Sequence, residues 1–282
     1  MLKYLSLLRA KQWIKNLIIF FPLFFGGKLL NETLLFHSII GFFLFSLTSS
    51  AGYIINDIVD VEKDKKHPKK KFRAIASGQV STRVAFLISL FLIFISLCCS
   101  WYLDKMFFLA ISAYFVNVLV YSFFLKRIPY VDILFIAVGF ALRLYAGYTL
   151  SLVPLSLWLL SLTLIVAVML GCGKRLEEIR CYSNSKDNIF RESLKFYNEK
   201  ALVILLVFFA LVSVILFGVY IYYNGGFDIL LFAVSAILVF NYIYNAIKLN
   251  IGEPSDFFMK DWLNIIFLTV WVLLFFGRIY LR

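Results

Sequence analysis

From residue 16 to residue 280 the sequence is a near-continuous series of apolar runs, each ended by a short polar connection. A helix that crosses a bilayer needs about 20 mostly apolar residues. Nine runs approach or meet that length, at 16–30, 34–55, 84–103, 107–125, 131–150, 155–172, 201–222, 227–247 and 262–280. The expectation is an all-α, polytopic membrane protein with nine transmembrane helices in a single domain over residues 1–282. Its 62% hydrophobic residues exclude an ordinary soluble domain, which is about half apolar. The first run is short and holds Pro22 and the Gly26-Gly27 pair, so a tilted or broken helix is expected there. Residues 2–15 carry four basic residues, and no small-residue cleavage site follows. No cleavable signal peptide is read from them.

Sorting the basic residues by side orients the bundle. Of 28 Lys and Arg, 23 fall on the side of the N-terminus, whereas only Lys28, Lys105, Arg278 and Arg282 fall opposite and Arg143 lies within a run. The positive-inside rule places the N-terminus and both long loops in the cytoplasm, in a plasma (inner) membrane. Topology and contact with anionic membrane lipids account for much of the net charge of +12. Nucleic acid is not implied. Cys98, Cys99, Cys172 and Cys181 form no CxxC pair and suggest neither zinc nor disulfides.

The polar chemistry gathers on that side. In the stretch AGYIINDIVDVEKDKKHPKKKFRAIASG, residues 51–78, Asn56, Asp60 and Asp64 recur every four residues and Asp57 lies three before Asp60. If the second helix continues past the membrane, all four share one face. Carboxylates so close repel one another and call for a cation. Hard oxygen ligands suit Mg2+, which takes one or two carboxylates and completes its shell with water and substrate phosphates. A phosphorylated substrate is therefore expected. Lys65, Lys66, Lys69, Lys70, Lys71 and Arg73 follow as candidate phosphate partners, with a helix break at His67-Pro68 and a turn at Ser77-Gly78. For any one of these lysines a solvated topology signal is the better reading.

Three other segments bring charge to the same side. Residues 121–132, YSFFLKRIPYVD, offer Tyr121, Lys126, Arg127, Tyr130 and Asp132, and Arg143 follows within a span. An intramembrane arginine is a functional candidate unless it snorkels or pairs structurally. After the sixth run come Lys174, Arg175, Glu177 and Glu178, which also read as a helical ion-pair ladder. Near the N-terminus, Lys11 and Lys15 lie one α-helical turn apart beside Gln12, Trp13 and Asn16, as a binding segment or an interfacial anchor.

The run NDIVDVEKD resembles the NDxxDxxxD signature of the UbiA superfamily of intramembrane prenyltransferases. Within it, residues 9–25, 64–78, 121–133, the GFALRLYAG run around Arg143 and the GKRLEE of 173–178 are similar to the decaprenyl-phosphate phosphoribosyltransferase branch. The resemblance implies a nine-helix bundle in which a polyprenyl phosphate oxygen attacks C1 of 5-phosphoribosyl diphosphate and diphosphate leaves. It implies Mg2+ on Asp60 and Asp64, supported by Asn56 and Asp57. Lys70, Arg73, Lys126 and Lys174 would meet the sugar donor, and Lys11, Lys15 and Arg143 the lipid phosphate. Tyr121, Arg175 and Glu178 complete the implied substrate site. Two departures stand out: the second aspartate-rich motif of prenyl-diphosphate enzymes is replaced by the GKRLEE segment, as in the phosphoribosyl branch, and Ala74 stands where proline is usual. The alternatives are prenyl transfer to an aromatic acceptor and a non-catalytic lipid-phosphate transporter. The many phenylalanines suit lipid or a neighbouring subunit equally, which leaves a homo-oligomer open.

Overall fold

The computed structural model describes residues 6–67, 70–183, 192–224, 228–253, 256–257 and 261–281. Every regular element among them is helical. The chain divides into two compact units, Met1–Leu155 with Asp187–Ser193, and Ser156–Lys186 with Leu194–Arg282.

The first unit contains a 3-10 helix, Ala10–Phe20, followed by α1 (Phe21–Phe25), α2 (Glu32–Val59), α3 (Val61–Lys66), α4 (Thr82–Leu103), α5 (Lys105–Phe123) and α6 (Val131–Ser151). The second contains α7 (Leu157–Ser183), α8 (Glu199–Tyr223), α9 (Ile229–Lys248) and α10 (Trp262–Tyr280). Among the described residues, the eight helices α2 and α4–α10 are long and apolar enough to cross a membrane. Starts are set by local chemistry. Asn31, Ser81, Asp104, Asn198, Asp228 and Asp261 each accept a backbone N–H from the first turn that follows.

The first expected run takes a different form. Its helix begins at Ala10 and ends at Phe25, leaving Gly26-Gly27 outside. Eleven residues of 3-10 helix and five of α-helix rise together by about 30 Å, the thickness of a hydrocarbon core. With three residues per turn, Trp13, Asn16, Ile19 and Pro22 fall on one face. Asn16, Ile19 and Pro22 are buried there, and Trp13 donates to Ser50 Oγ at 3.0 Å. The helix packs against α2 and α6. At Gly147 of α6 a Cβ would lie 2.2 Å from the carbonyl oxygen of Ile19, so only glycine permits this approach.

Two apolar clusters hold the first unit. One joins Ile19, Phe45, Phe107, Ile111, Tyr114 and Leu150. The other joins Leu7, Ile54 and Ala85 to Ala74, Ile75 and Val80, so the basic loop is anchored by its own apolar residues. In the second unit α7 packs on α8, and α9 packs against α7, α8 and α10. The sixth apolar run ends at residue 172, and α7 continues through the charged segment to Ser183, in keeping with the helical reading of Lys174 and Glu178. Backbone hydrogen bonding does not stop where hydropathy does.

Candidate active site

The acids lie where α2 gives way to α3. Asp60 leaves helical geometry, with φ −97° and ψ 6°. The four-residue ladder still runs across the break: Asp60 N–H donates to the Asn56 carbonyl at 3.0 Å and Asp64 N–H to the Asp60 carbonyl at 2.8 Å. Asn56, Asp57, Asp60 and Asp64 therefore stay close, as the spacing predicts, although the helix is interrupted. Each carboxylate meets a cation, from the following loop or from a distant segment. Arg73 Nη1 lies 2.9 Å from Asp57 Oδ1 and 2.6 Å from Asp64 Oδ2. Lys126 Nζ lies 2.6 Å from Asp60 Oδ1 and 3.5 Å from Asn56 Oδ1. Arg9 also donates to Asp57 Oδ1, and its guanidinium lies over the Tyr53 ring at 5.5 Å.

Local structure delivers these cations. Arg73 directly precedes buried Ala74 and Ile75, and its loop closes through Ser77 N–H on the Arg73 carbonyl at 2.8 Å. Gly78 completes the turn at φ +76°. Lys126 sits in a short 3-10 turn, Leu125–Arg127. Tyr130 follows at φ +64°, where Val131 N–H reaches the Pro129 carbonyl at 2.8 Å, a strained turn of the kind found at functional sites. The Ser193 hydroxyl donates to the Lys126 carbonyl at 3.1 Å. Burial raises the Asp64 carboxyl above its ordinary range, opposed by the positive charges of Arg73 and Lys70. Lys70 and Tyr121 are half-buried, while Pro68 and Lys69 lie outside the described residues.

The donor set suits Mg2+ in kind: carboxylate and amide oxygens on two successive turns, of which Mg2+ takes only one or two carboxylates. Among the described residues no group of three or more His, Cys, Asp and Glu side chains converges as a metal cage. The acids are instead turned onto Arg9, Arg73 and Lys126.

Other expected site residues have different surroundings. Lys11 and Lys15 do not share a face, because four residues span 120° beyond one turn of a 3-10 helix; Lys11 is exposed and Lys15 half-buried. Arg143 is buried and engaged by protein. Its Nε donates to Asn16 Oδ1 at 2.8 Å, Nη1 to the Gly139 carbonyl at 2.8 Å and Nη2 to Tyr114 OH at 2.7 Å. The rings of Phe45, Tyr114 and Phe140 surround the guanidinium at 4.6 to 5.5 Å. Asn16 in turn donates to Ser46 and Ser49 of α2. This is a structural brace, polar groups tying membrane helices together.

The GKRLEE segment, in the second unit, is likewise occupied. Lys174 Nζ lies 2.9 Å from Glu253 Oε2, and buried Arg175 pairs with Glu178 on the same helix. Glu177 accepts the backbone N–H groups of Gly252 and Glu253, both at 3.0 Å. The helical ladder accounts for only one of these pairs. The rest strap the segment after α9 onto α7. Sequence reasoning named Asn16 only as part of a binding or anchoring segment and did not single out Arg9, Tyr114 or Glu253, whose partners are far away in sequence; the positive φ of Arg9, +48°, has no sequence signal either.

Comparison with known proteins agrees with this architecture. The profile of the UbiA prenyltransferase family matches residues 18–268. A decaprenyl-phosphate phosphoribosyltransferase of Mycobacterium tuberculosis is 30% identical over 273 residues, covering 94% of this chain and 90% of that protein. An uncharacterized protein of Sinorhizobium fredii is 40% identical over 191 residues, or 66% of this chain, yet this match spans only 36% of that longer protein. Among solved structures, a UbiA homolog from Archaeoglobus fulgidus bound to DMAPP and Mg2+ superposes with a TM-score of 0.75 at 20% identity, over 98% of this chain and 99% of that one.

Proposed function

The chain belongs to the UbiA prenyltransferase family of integral membrane transferases, and within that family we propose that it moves a 5-phosphoribosyl group from 5-phosphoribosyl diphosphate to a polyprenyl phosphate, releasing diphosphate. The observation that carries this reading is the interleaving of acids and cations at one end of α2: Asp60 with Lys126, and Asp57 and Asp64 with Arg73. Such an interleaved site can offer oxygens to a metal and cations to donor phosphates at the same place. The named activity of the mycobacterial relative supports the phosphoribosyl donor, and Mg2+ beside a prenyl diphosphate in the Archaeoglobus homolog supports a divalent metal. The distribution of basic residues supports a plasma-membrane protein with this site facing the cytoplasm.

Asp60 and Asp64, with Asn56, would hold Mg2+, which supplies charge neutralisation to a departing diphosphate. Arg73 and Lys126 bind and orient the donor phosphates, with Lys70 beside them. Lys11, Lys15 and Tyr121 guide the lipid phosphate. An oxygen of that phosphate forms the new bond to C1 as the C1–diphosphate bond breaks. The attacking oxygen is already anionic, so no side chain needs to remove a proton, and catalysis rests on positioning and charge. Arg143 acts at a distance by fixing the 3-10 helix that carries Lys11 and Lys15.

The test uses purified full-length protein in detergent with Mg2+. One reaction receives polyprenyl phosphate and labelled 5-phosphoribosyl diphosphate; the other receives prenyl diphosphate and 4-hydroxybenzoate. Label in the lipid fraction with equimolar diphosphate is expected only in the first. Prenylated aromatic product, or no lipid labelling, would overturn the reading.

A further inference from the structure

Three carboxylates and three cations balance in the candidate site: Asp57, Asp60 and Asp64 against Arg9, Arg73 and Lys126. None is well exposed, since side-chain accessibility is 6% at Asp64 and reaches only 26% at Arg73. In such surroundings a charge stripped of its partner is strongly unfavourable. Any ligand that takes one member of a pair must therefore supply a replacement for it.

The pairing is uneven in a way that decides which pairs can open. Asp57 Oδ1 is met by both Arg9 and Arg73, so Asp57 keeps a counter-ion when Arg73 departs. Asp64 is ion-paired through Arg73, and Asp60 through Lys126. Arg9 is held on its other side by the Tyr53 ring and belongs to a left-handed backbone position at the start of the 3-10 helix. Lys126 and Arg73 lie in the turns between α5 and α6 and between α3 and α4.

We infer that Arg73 and Lys126 are exchangeable counter-ions, which hold Asp64 and Asp60 in the donor-free protein and pass to the donor's phosphate oxygens only as a divalent cation replaces them on the carboxylates, while Arg9 remains on Asp57. This rests on the reading of the site as one for Mg2+ and a diphosphate. Metal alone would leave two displaced cations facing it. Diphosphate alone would meet cations already committed to acids. Arriving together, the two leave every charge paired, so each must raise the affinity of the other by the same factor.

The experiment measures free and bound Mn2+ by its electron paramagnetic resonance signal on purified full-length protein in detergent, with and without inorganic diphosphate. Binding is corrected for the Mn2+–diphosphate complex in solution. Wild-type protein is expected to bind Mn2+ at least ~10-fold more tightly with diphosphate than without, within the ordinary range of coupling. Lys126→Gln and Arg73→Gln are expected to bind Mn2+ alone about 10-fold more tightly than wild type, because an acid is released, and to lose most of the coupling. Lys126→Arg restores the wild-type pattern. Arg9→Gln weakens diphosphate binding without a gain in metal affinity, since Asp57 then retains Arg73.

Gain of metal affinity on removing a cation separates exchange from a merely structural role, which predicts loss or no change. Equal Mn2+ affinity with and without diphosphate, or no gain in Lys126→Gln protein with a wild-type unfolding temperature, would overturn the exchange. Uncoupled binding of diphosphate leaves the proposed reaction standing. Failure of 5-phosphoribosyl diphosphate to bind with metal under any condition removes the reaction itself and the exchange with it.

Discussion

Arg143 and Asn16, 127 residues apart in sequence, are joined by a 2.8 Å hydrogen bond from Nε to Oδ1 inside the first unit. Removing the amide leaves a buried guanidinium nitrogen without its acceptor and Ser46 and Ser49 without their donor. Asn16→Leu is expected to destabilise the protein by about 1–3 kcal/mol, the cost of an unsatisfied buried polar group. Denaturation in mild detergent would reveal it, and an unchanged midpoint would show that the brace carries no stability.

In the proposed reaction Asp60 and Asp64 would hold the metal. Alanine at either position should lower turnover by roughly 100-fold or more at saturating Mg2+, the scale seen when a group that stabilises developing charge is removed. The polyprenyl-phosphate labelling assay provides the readout. Ordinary turnover in both variants would remove these residues from the chemistry.

Burial lifts the Asp64 carboxyl above its ordinary value of 3.8, against the opposing pull of Arg73 and Lys70. The folded state thus holds this proton more tightly than the unfolded chain. Its contribution to stability is fully present below the unfolded value and is lost as pH rises through the folded one. Asp64→Asn, which cannot titrate, should remove that loss. Unfolding midpoints of the two proteins, compared as pH rises from the ordinary carboxyl value of 3.8, should shift relative to one another in favour of the variant.

Gly252 lies against Gly173 in the second unit, where a Cβ would come within 2.0 Å of the Gly173 carbonyl oxygen. Backbone on both sides must move to admit it. Gly252→Ala should cost roughly 1–3 kcal/mol, as overpacking does, and should loosen the two amide contacts to Glu177. Faster hydrogen exchange at residues 252 and 253 is the specific signature. Unchanged exchange would mean that the strap adapts.

The helices were legible because long apolar runs admit little else in a membrane, and eight of the nine expected runs correspond to helices of crossing length. The first run concealed its geometry. Hydropathy cannot tell 3.6 residues per turn from three, but the spacing of Asn16, Ile19 and Pro22 does so once their common burial is known. The acids announced themselves by spacing along one chain segment. Arg73 and Lys126 were named as phosphate partners but not as the acids' own counter-ions, and Arg9 was not named, because Arg9 and Lys126 reach Asp57 and Asp60 from 48 and 66 residues away. Arg143 was recognisable as unusual, yet its use depends on Asn16 and Tyr114, whose positions only tertiary packing determines.

A 3-10 helix is also a stretched one. Each residue that relaxed to α-helical rise would shorten the segment by about 0.5 Å, so conversion of all eleven residues would draw Arg9 toward Phe21 by about 5.5 Å. That stroke exceeds the length of any ion pair in the site. The extended rise is thus what sets the distance of Arg9 from Phe21 and lets its guanidinium reach Asp57.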